Sequence, residues 1–436
     1  MKSTTPAYAS SQHERTVWWK TANTNPIGRP LTATTTADIA IIGAGFTGLT
    51  AALHLARRGA RVAVLEADVI GSGASGLNAG FVVPNFAKAD PAAVVAKLGR
   101  ERGARLLDMI AVGADRVFAT ARENAIDCDA EQVGWMHVAH SEKMLPMLER
   151  RARAWQDLGR PVSMLDATEA RRRAGMRHSY GALIDRSGGT VHPLNYAYGL
   201  ADAAIAAGAV LHEHAEVDAV TRSGNGWQLA SGEHRISARA VLLCSNAAET
   251  GVARRLGRIV VPLKVYQIAT EPLDEVTVRR ISPGRNPVAD TRANLFTFRL
   301  DRDNRLISGG MSMLPMGAAP RMARMIAQRL QAELGLKHVP AVDSIWRGTA
   351  AMTTDFLPHI YEFAPGFIGG IGCNGRGIAL TAMLGEVLAD AVSGTRLADL
   401  PIPQASPRGL PFRSLAAAAP AVAIAQAKWQ DRREGL

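Results

Sequence analysis

The chain has 436 residues, a formal net charge of +11 at pH 7, 47% hydrophobic residues and three cysteines, Cys128, Cys244 and Cys373. That length and apolar content can bury a large core and predict two domains, while cysteines so few and so scattered exclude a disulfide framework or a metal site. A basic balance would suit nucleic acid or an anionic membrane, but the arginines, such as Arg171-Arg172-Arg173, fall on amphipathic helical patterns without any nucleic-acid motif and read as solvated helix faces.

The first 35 residues are polar and predict a loosely packed arm, with no charged segment leading into an apolar one and so no expected secretory signal. Trp18 and Trp19 predict that this arm docks somewhere on the domain. Next comes Ile39-Ala40-Ile41-Ile42-Gly43-Ala44-Gly45-Phe46-Thr47-Gly48, then a helical stretch to about Arg58 and the apolar Val62-Ala63-Val64-Leu65-Glu66. Strand, glycine turn, helix and second strand ending in an acid form the fingerprint of an adenine dinucleotide site. Gly43 permits the tight turn, Gly45 lets backbone approach a pyrophosphate, and Gly48 lets the helix lie close on the strand. The free N–H groups of that helix meet the phosphates. Glu66, with Ala67 after it, is placed for the ribose hydroxyls and would repel a 2′-phosphate, which argues against NADP. The same fingerprint accounts for the apolar window 39–56, so no membrane span is expected.

The small-residue loop Ile70-Gly71-Ser72-Gly73-Ala74-Ser75-Gly76-Leu77-Asn78-Ala79-Gly80 follows Glu66 at once. Where a nicotinamide enzyme would continue into another helix and strand, this loop admits a second phosphate and a flavin ring, so FAD is favoured over NAD. Helices are predicted over 91–124 and 142–158, with a strand at 134–139 between them, and Asp166 with Glu169 reads as a helix cap. The chain returns to the dinucleotide domain at Gly188-Gly189-Thr190-Val191-His192-Pro193, a helix over 194–207, a strand over 210–213, and an apolar strand ending at Ser245, Asn246 and Ala247. Alternating patterns at 265–270, 295–300 and 305–310, then a helix over 321–334, predict an antiparallel sheet that roofs the flavin. The last return, Gly366 to Gly377 with Gly372, Asn374, Gly375, Arg376 and Gly377, opens a helix from Ile378 to Ser393, whose N-terminus suits the anionic edge of a reduced flavin.

At these motifs the chain resembles the D-amino acid oxidase-like family of FAD-dependent amine oxidoreductases. The likeness rests on Gly71 to Gly80, on Ser187 to Asn195, on Ala269-Thr270-Glu271-Pro272-Leu273, on Arg299-Leu300 through Gly309-Gly310, and on Gly372 to Gly377. It implies a discontinuous Rossmann-like α/β FAD domain (36–90, 181–258, 345–398) interleaved with an α+β substrate domain on an antiparallel sheet (91–180, 259–344). An arm (1–35) and a C-terminal extension (399–436) flank them. The cofactor set it implies is Gly43, Gly45, Phe46, Thr47, Gly48, Glu66, Ala67, Gly73, Ala74, Ser75, Asn78, Ala79, Gly80, Val217, Ser245, Asn246, Ala247, Gly348, Gly372, Asn374, Gly375, Arg376, Gly377 and Ile378.

Noncovalent FAD is implied, because neither the cysteine nor the oxygen-assisting lysine of sarcosine oxidase relatives is evident. The reaction implied is hydride transfer from the carbon beside a neutral amine to flavin N5, giving an imine that hydrolyses, with O2 reduced to H2O2. The substrate is a small-molecule amine of the gamma-glutamylputrescine or amino-acid type. Leu77 and Ala79, in place of the family's arginine and glycine, and Asn374 and Arg376, in place of serine and histidine, leave the amine and the acceptor open. Candidates for the substrate side are Arg376, Arg299 as a carboxylate partner, Lys264 and Tyr266 on one face of a strand, and His192, which reads first as a structural hydrogen-bonding residue. Cys373 reads as a small loop residue and no metal is expected. A cytoplasmic monomer or homodimer without nucleic acid is expected. The alternatives are an amine or D-amino acid dehydrogenase with another acceptor, a tRNA-modifying or membrane-associated flavoprotein, and a noncatalytic FAD-binding subunit. The alanine-rich stretch 415–428 is expected to dock on its own domain rather than on lipid.

Overall fold

A computed structural model describes residues 16–23, 28–312, 316–411, 421, 424–427 and 429–431. Two large sheets organise the chain. The first runs Arg29–Pro30, Val210–Glu213, Val62–Leu65, Thr35–Ile42, His234–Leu243, Phe367–Ile371, His359–Ala364, Gln404–Ala405, parallel from Arg29–Pro30 through Phe367–Ile371. Its central strands are apolar where they are buried on both faces, at 39–42, Val62–Leu65 and 240–243. Helices Phe46–Arg57, Arg100–Glu123, Pro193–Ala206 and Gly377–Val392 share the main core with the sheet's Ile39, Ile41, Val62 and Leu242.

The second sheet has eight strands in the order Val342–Met352, Val261–Thr270, Leu306–Met311, Thr297–Leu300, Val288–Asp290, Trp135–Val138, Ala182–Asp185, Val162–Leu165. It is antiparallel except at one seam, where Val288–Asp290 lies parallel to Trp135–Val138. That seam joins the two insertions into one surface. Alternation along these strands sorts the side chains cleanly. Tyr266, Ile268, Phe298, Leu306 and Ile345 pack with helix Ala318–Leu334, whereas Ala269, Ala289, Ile307, Trp135 and Trp346 pack toward the dinucleotide domain.

The predicted helix over 91–124 is two helices, Pro91–Leu98 and Arg100–Glu123, because Gly99 adopts φ +79° and ends the first. The cap at Asp166 forms, its carboxylate accepting from Glu169 N at 2.8 Å. The hairpin Ala219–Ser223 with Gly226–Ser231 and the eleven-residue strand Val342–Met352 are additions to the predicted elements. Most of the 415–428 stretch lies outside the described residues, but Asp431 beyond it accepts from Ala293 N and Asn294 N, tying the tail to the second domain. No helix among the described residues is long and apolar enough to cross a membrane.

Candidate active site

The glycine turn between Ile42 and Phe46 is set by contact. Gly43 has φ +103°, and a Cβ on Gly48 would lie 2.0 Å from the Gly43 carbonyl oxygen, so helix Phe46–Arg57 rests directly on the turn. The helix begins at Gly45, which offers no side-chain cap, so the N–H groups of its first turn beyond Phe46 are left for a ligand. Glu66 closes the site, one carboxylate oxygen accepting from Ala44 N at 2.8 Å and the other from Asp68 N at 3.2 Å. Burial raises its pKa, opposed by these two N–H groups.

The next loop repeats the device. Gly71, Gly73 and Gly76 carry the same G-x-G-x-x-G spacing, Gly71 has φ +81°, and a Cβ on Gly76 would lie 2.1 Å from the Gly71 carbonyl oxygen. Helix Ala74–Leu77 again starts from an uncapped glycine, Gly73. Ser75 Oγ accepts from Phe46 N at 3.0 Å and so links the two turns. Gly73 has ordinary φ and nothing within 4 Å of where its Cβ would stand, so open space, not folding, borders it on that side. Two adjoining uncapped turns, a carboxylate at the first and a free margin at the second, fit an extended dinucleotide such as FAD.

The remaining cofactor candidates lie in segments around these two turns. Asn78 binds the loop to itself, donating to the carbonyls of Ala74 and Ser75 and accepting from Gly80 N at 2.8 Å, with Ala79 between. Ala67 follows Glu66, and Val217 lies just beyond Ala215, whose N–H donates to Glu66 O at 2.7 Å. Ser245, Asn246 and Ala247 follow Cys244, whose carbonyl oxygen would sit 2.9 Å from a Cβ on Gly43. Gly348 lies against Leu77 O. Asn374 accepts from Thr353 N at 2.8 Å and donates to Gly372 O, pinning the loop of Gly375 and Gly377. Helix Gly377–Val392, with Ile378 and Thr47 buried, packs on Phe46–Arg57 and the short strand Phe81–Val82.

The structure separates the five substrate-side candidates. Lys264 and Tyr266 lie on the outer face: Lys264 Nζ donates to Thr349 Oγ1 at 3.0 Å and Tyr266 packs under helix Ala318–Leu334. Arg299 faces inward but is 2% exposed, and its guanidinium donates to the carbonyls of Gly80, Val191 and Leu300. Those carbonyls take up the fork that a carboxylate would need.

His192 caps helix Pro193–Ala206, Nδ1 accepting from Asn195 N at 3.1 Å, which makes Nε2–H the donor to Thr21 Oγ1. Burial, aided by Arg299, lowers its pKa from 6.5 to about 3. The unfolded chain therefore binds a proton between these values that the native state refuses, and His192 costs stability progressively as pH falls from 6.5 toward 3. His192→Asn keeps a capping acceptor and is expected to flatten the fall of Tm between about pH 7 and pH 5. An unaltered slope in thermal melts would contradict this.

Arg376 differs from the other four. Its guanidinium lies over the Trp135 ring at 5.2 Å, and among the described residues no carboxylate pairs with it. Burial and nearby Arg151 lower its pKa to about 10. Arg151 donates to Asp90 Oδ1 at 2.6 Å and to His137 Nδ1 at 3.2 Å, so His137 carries its proton on Nε2 and donates to Asp290 O. His137 is held neutral, its pKa well lowered by burial and by both arginines.

Trp135, His137, Arg151 and Gln267 join Arg376 on the inner layer unforeseen. Gln267 pairs with Trp346 across the sheet, its Oε1 is buried without a partner, and its amide fills the space a Cβ would take on Gly309. Strand parity, which sets Gln267 on the face opposite Tyr266, is the one sequence signal that could have marked it. Burial raises the pKa of Cys373, which keeps it a thiol. No group of three or more His, Cys, Asp or Glu suited to a metal occurs among the described residues.

Residues 38–391 match the family described as FAD dependent oxidoreductase, DAO, and the chain belongs to it. FAD is its cofactor. The gamma-glutamylputrescine oxidoreductase of Escherichia coli strain K12 is 29% identical over 94% of this chain and 97% of its own length. The probable oxidoreductase OrdL of Rhizobium meliloti is 31% identical over 87% and 89%. In fold, the glycine oxidase of Geobacillus kaustophilus superposes with a TM-score of 0.69 at 24% identity, covering 83% of this chain and 95% of that one.

Proposed function

We propose that the protein oxidises a primary or secondary amine that carries a carboxylate, of the gamma-glutamylputrescine or amino-acid type, to an imine that water hydrolyses. The observation that carries this reading is the half-buried Arg376 guanidinium, beside Trp135 and Arg151 with no carboxylate partner among the described residues. FAD, when bound, supplies the two-electron acceptor for the bond between hydrogen and the carbon beside the amine.

The chain's own residues orient and discharge the substrate. Arg376 holds the carboxylate by a forked pair of hydrogen bonds. The same positive field, undiluted by neutral His137, disfavours an ammonium and so favours the free amine that oxidation needs. Gln267 Oε1 is an acceptor for the amine N–H. Trp135 and Trp346, both buried, exclude water from the same layer. The electrons pass to O2, giving H2O2, or to another acceptor, and the enzyme acts in the cytoplasm as a monomer or homodimer without a nucleic-acid partner.

Initial rates with gamma-glutamylputrescine and with putrescine, read both as peroxide and with a dye acceptor, test the reading. The carboxylated amine is expected to have a kcat/KM larger by roughly tenfold or more, since its absence leaves Arg376 unpaired. Equal values would remove the carboxylate from the proposal, and peroxide without need of dye would identify an oxidase.

A further inference from the structure

The arm 16–23 is built into the flavin loop. Trp18, 1% exposed, donates from Nε1 to Asn78 O at 2.7 Å, beside Trp346, whose Nε1 donates to Leu77 O at 3.0 Å. Arg299 takes the Gly80 carbonyl at 2.9 Å and lies over the Trp18 ring at 5.6 Å. The Trp18 ring also meets Trp346 at 6.1 Å and His192 at 5.0 Å, both edge-on.

The arm is fixed on either side of Trp18. Thr16 caps its helix Val17–Thr21, Lys20 pairs with Asp343, Thr21 meets His192, and Asn23 N donates to Asn195 Oδ1. Three carbonyls of one short loop, Leu77, Asn78 and Gly80, are therefore held by donors from outside the dinucleotide sheet. In a planar trans peptide the N–H points opposite to the C=O. Holding the Leu77 and Asn78 carbonyls toward the two indoles thus turns the Asn78 and Ala79 N–H groups to the opposite side of the loop.

We infer that the arm is a clasp that sets the flavin loop for FAD, with Trp18 as a positioning residue for the cofactor. The loop's glycines leave it free to take other shapes, and the clasp selects one before FAD arrives. FAD affinity then depends on an indole that lies on the outer side of the loop.

The test uses the full chain, with Trp18→Phe, which keeps an aromatic ring but loses the N–H donor and part of the indole's packing, and Trp18→Ala. FAD dissociation constants from flavin fluorescence are expected to rise about 3- to 10-fold for Trp18→Phe, the range of one lost hydrogen bond, and further for Trp18→Ala. Hydrogen exchange of the apoprotein is expected to quicken at amides 74–80. A Trp18→Phe protein that is folded, binds FAD within twofold of the parent and keeps its loop protection overturns the proposal. So does a lower Tm with unchanged FAD affinity, since that outcome makes the arm structural only.

Discussion

Gly48→Ala is expected to yield protein that no longer retains FAD, while Gly73→Ala folds as the parent does and binds FAD more weakly. The two glycines fail for different reasons. A methyl at residue 48 would stand 2.0 Å from the Gly43 carbonyl oxygen, far inside any contact that a Cβ tolerates, and the obstructing atom is backbone, not a flexible side-chain end. Helix Phe46–Arg57 would have to lift from the turn, moving its N–H groups from the phosphate position and opening the packing of Leu49, Ala52 and Leu53. Overpacking of this kind costs about 1–3 kcal/mol before the ligand is considered, and the misplaced helix N-terminus forfeits the phosphate interaction as well.

At Gly73 the protein itself offers no obstacle, so any loss must come from the ligand. A fall in FAD affinity of roughly tenfold with an unaltered apoprotein Tm would locate the cofactor against that loop. The comparison is read by flavin-to-protein absorbance after gel filtration and by thermal melts of the apoproteins. Full flavin content in Gly48→Ala would contradict the placement of the dinucleotide on this turn.

Arg376→Met is expected to lower kcat/KM for a carboxylated amine by on the order of 10²- to 10³-fold, the cost of removing one partner of a desolvated, charge-assisted pair. Methionine keeps much of the side-chain length over Trp135 and removes the charge. The pH dependence carries the mechanistic content. With Arg376 gone, less positive potential opposes an ammonium, so the bound amine holds its proton to higher pH and the rising limb of kcat moves to the alkaline side. A variant that loses only affinity, with its pH profile unmoved, would show that the guanidinium grips the carboxylate without affecting the amine's proton.

How much of this was legible in the sequence follows from how local each constraint is. The first glycine turn was readable because Gly48 answers the Gly43 carbonyl oxygen of its own turn, and the Asp166 cap is equally local, although the close contact at Gly43 is with the distant Cys244 carbonyl. The spacing of Gly71, Gly73 and Gly76 was equally available, since it repeats that of Gly43, Gly45 and Gly48. Strand parity put Lys264 and Tyr266 on one face, but which face required a contact between distant segments, the bond from Trp346 to Leu77 O.

Arg299 illustrates the limit from the other side. Its alternation with Phe298 and Leu300 points it inward, and it does face inward, yet its partners are carbonyls from residues 80 and 191 that no pattern near 299 reveals. The layer of Arg376, Arg151 and neutral His137 depends on the parallel seam between 136–138 and 288–290 and on a loop more than two hundred residues further on. Long-range pairing of that kind leaves no local periodicity to read. Gly99 is a smaller case: a helical pattern on both sides concealed a break that its positive φ makes plain.

The central claim, an FAD enzyme that takes electrons from a carboxylated amine, is tested most directly by anaerobic stopped-flow absorbance of the purified holoprotein. It would be mixed in turn with gamma-glutamylputrescine, glycine, sarcosine, D-alanine and putrescine while the visible band of oxidised flavin is followed. The account predicts rapid bleaching by one or more of the carboxylated amines, slower bleaching by putrescine, and loss of that preference in Arg376→Met. A flavin that dithionite bleaches and none of these amines touches, or one that putrescine bleaches as fast as its carboxylated counterpart, would contradict it.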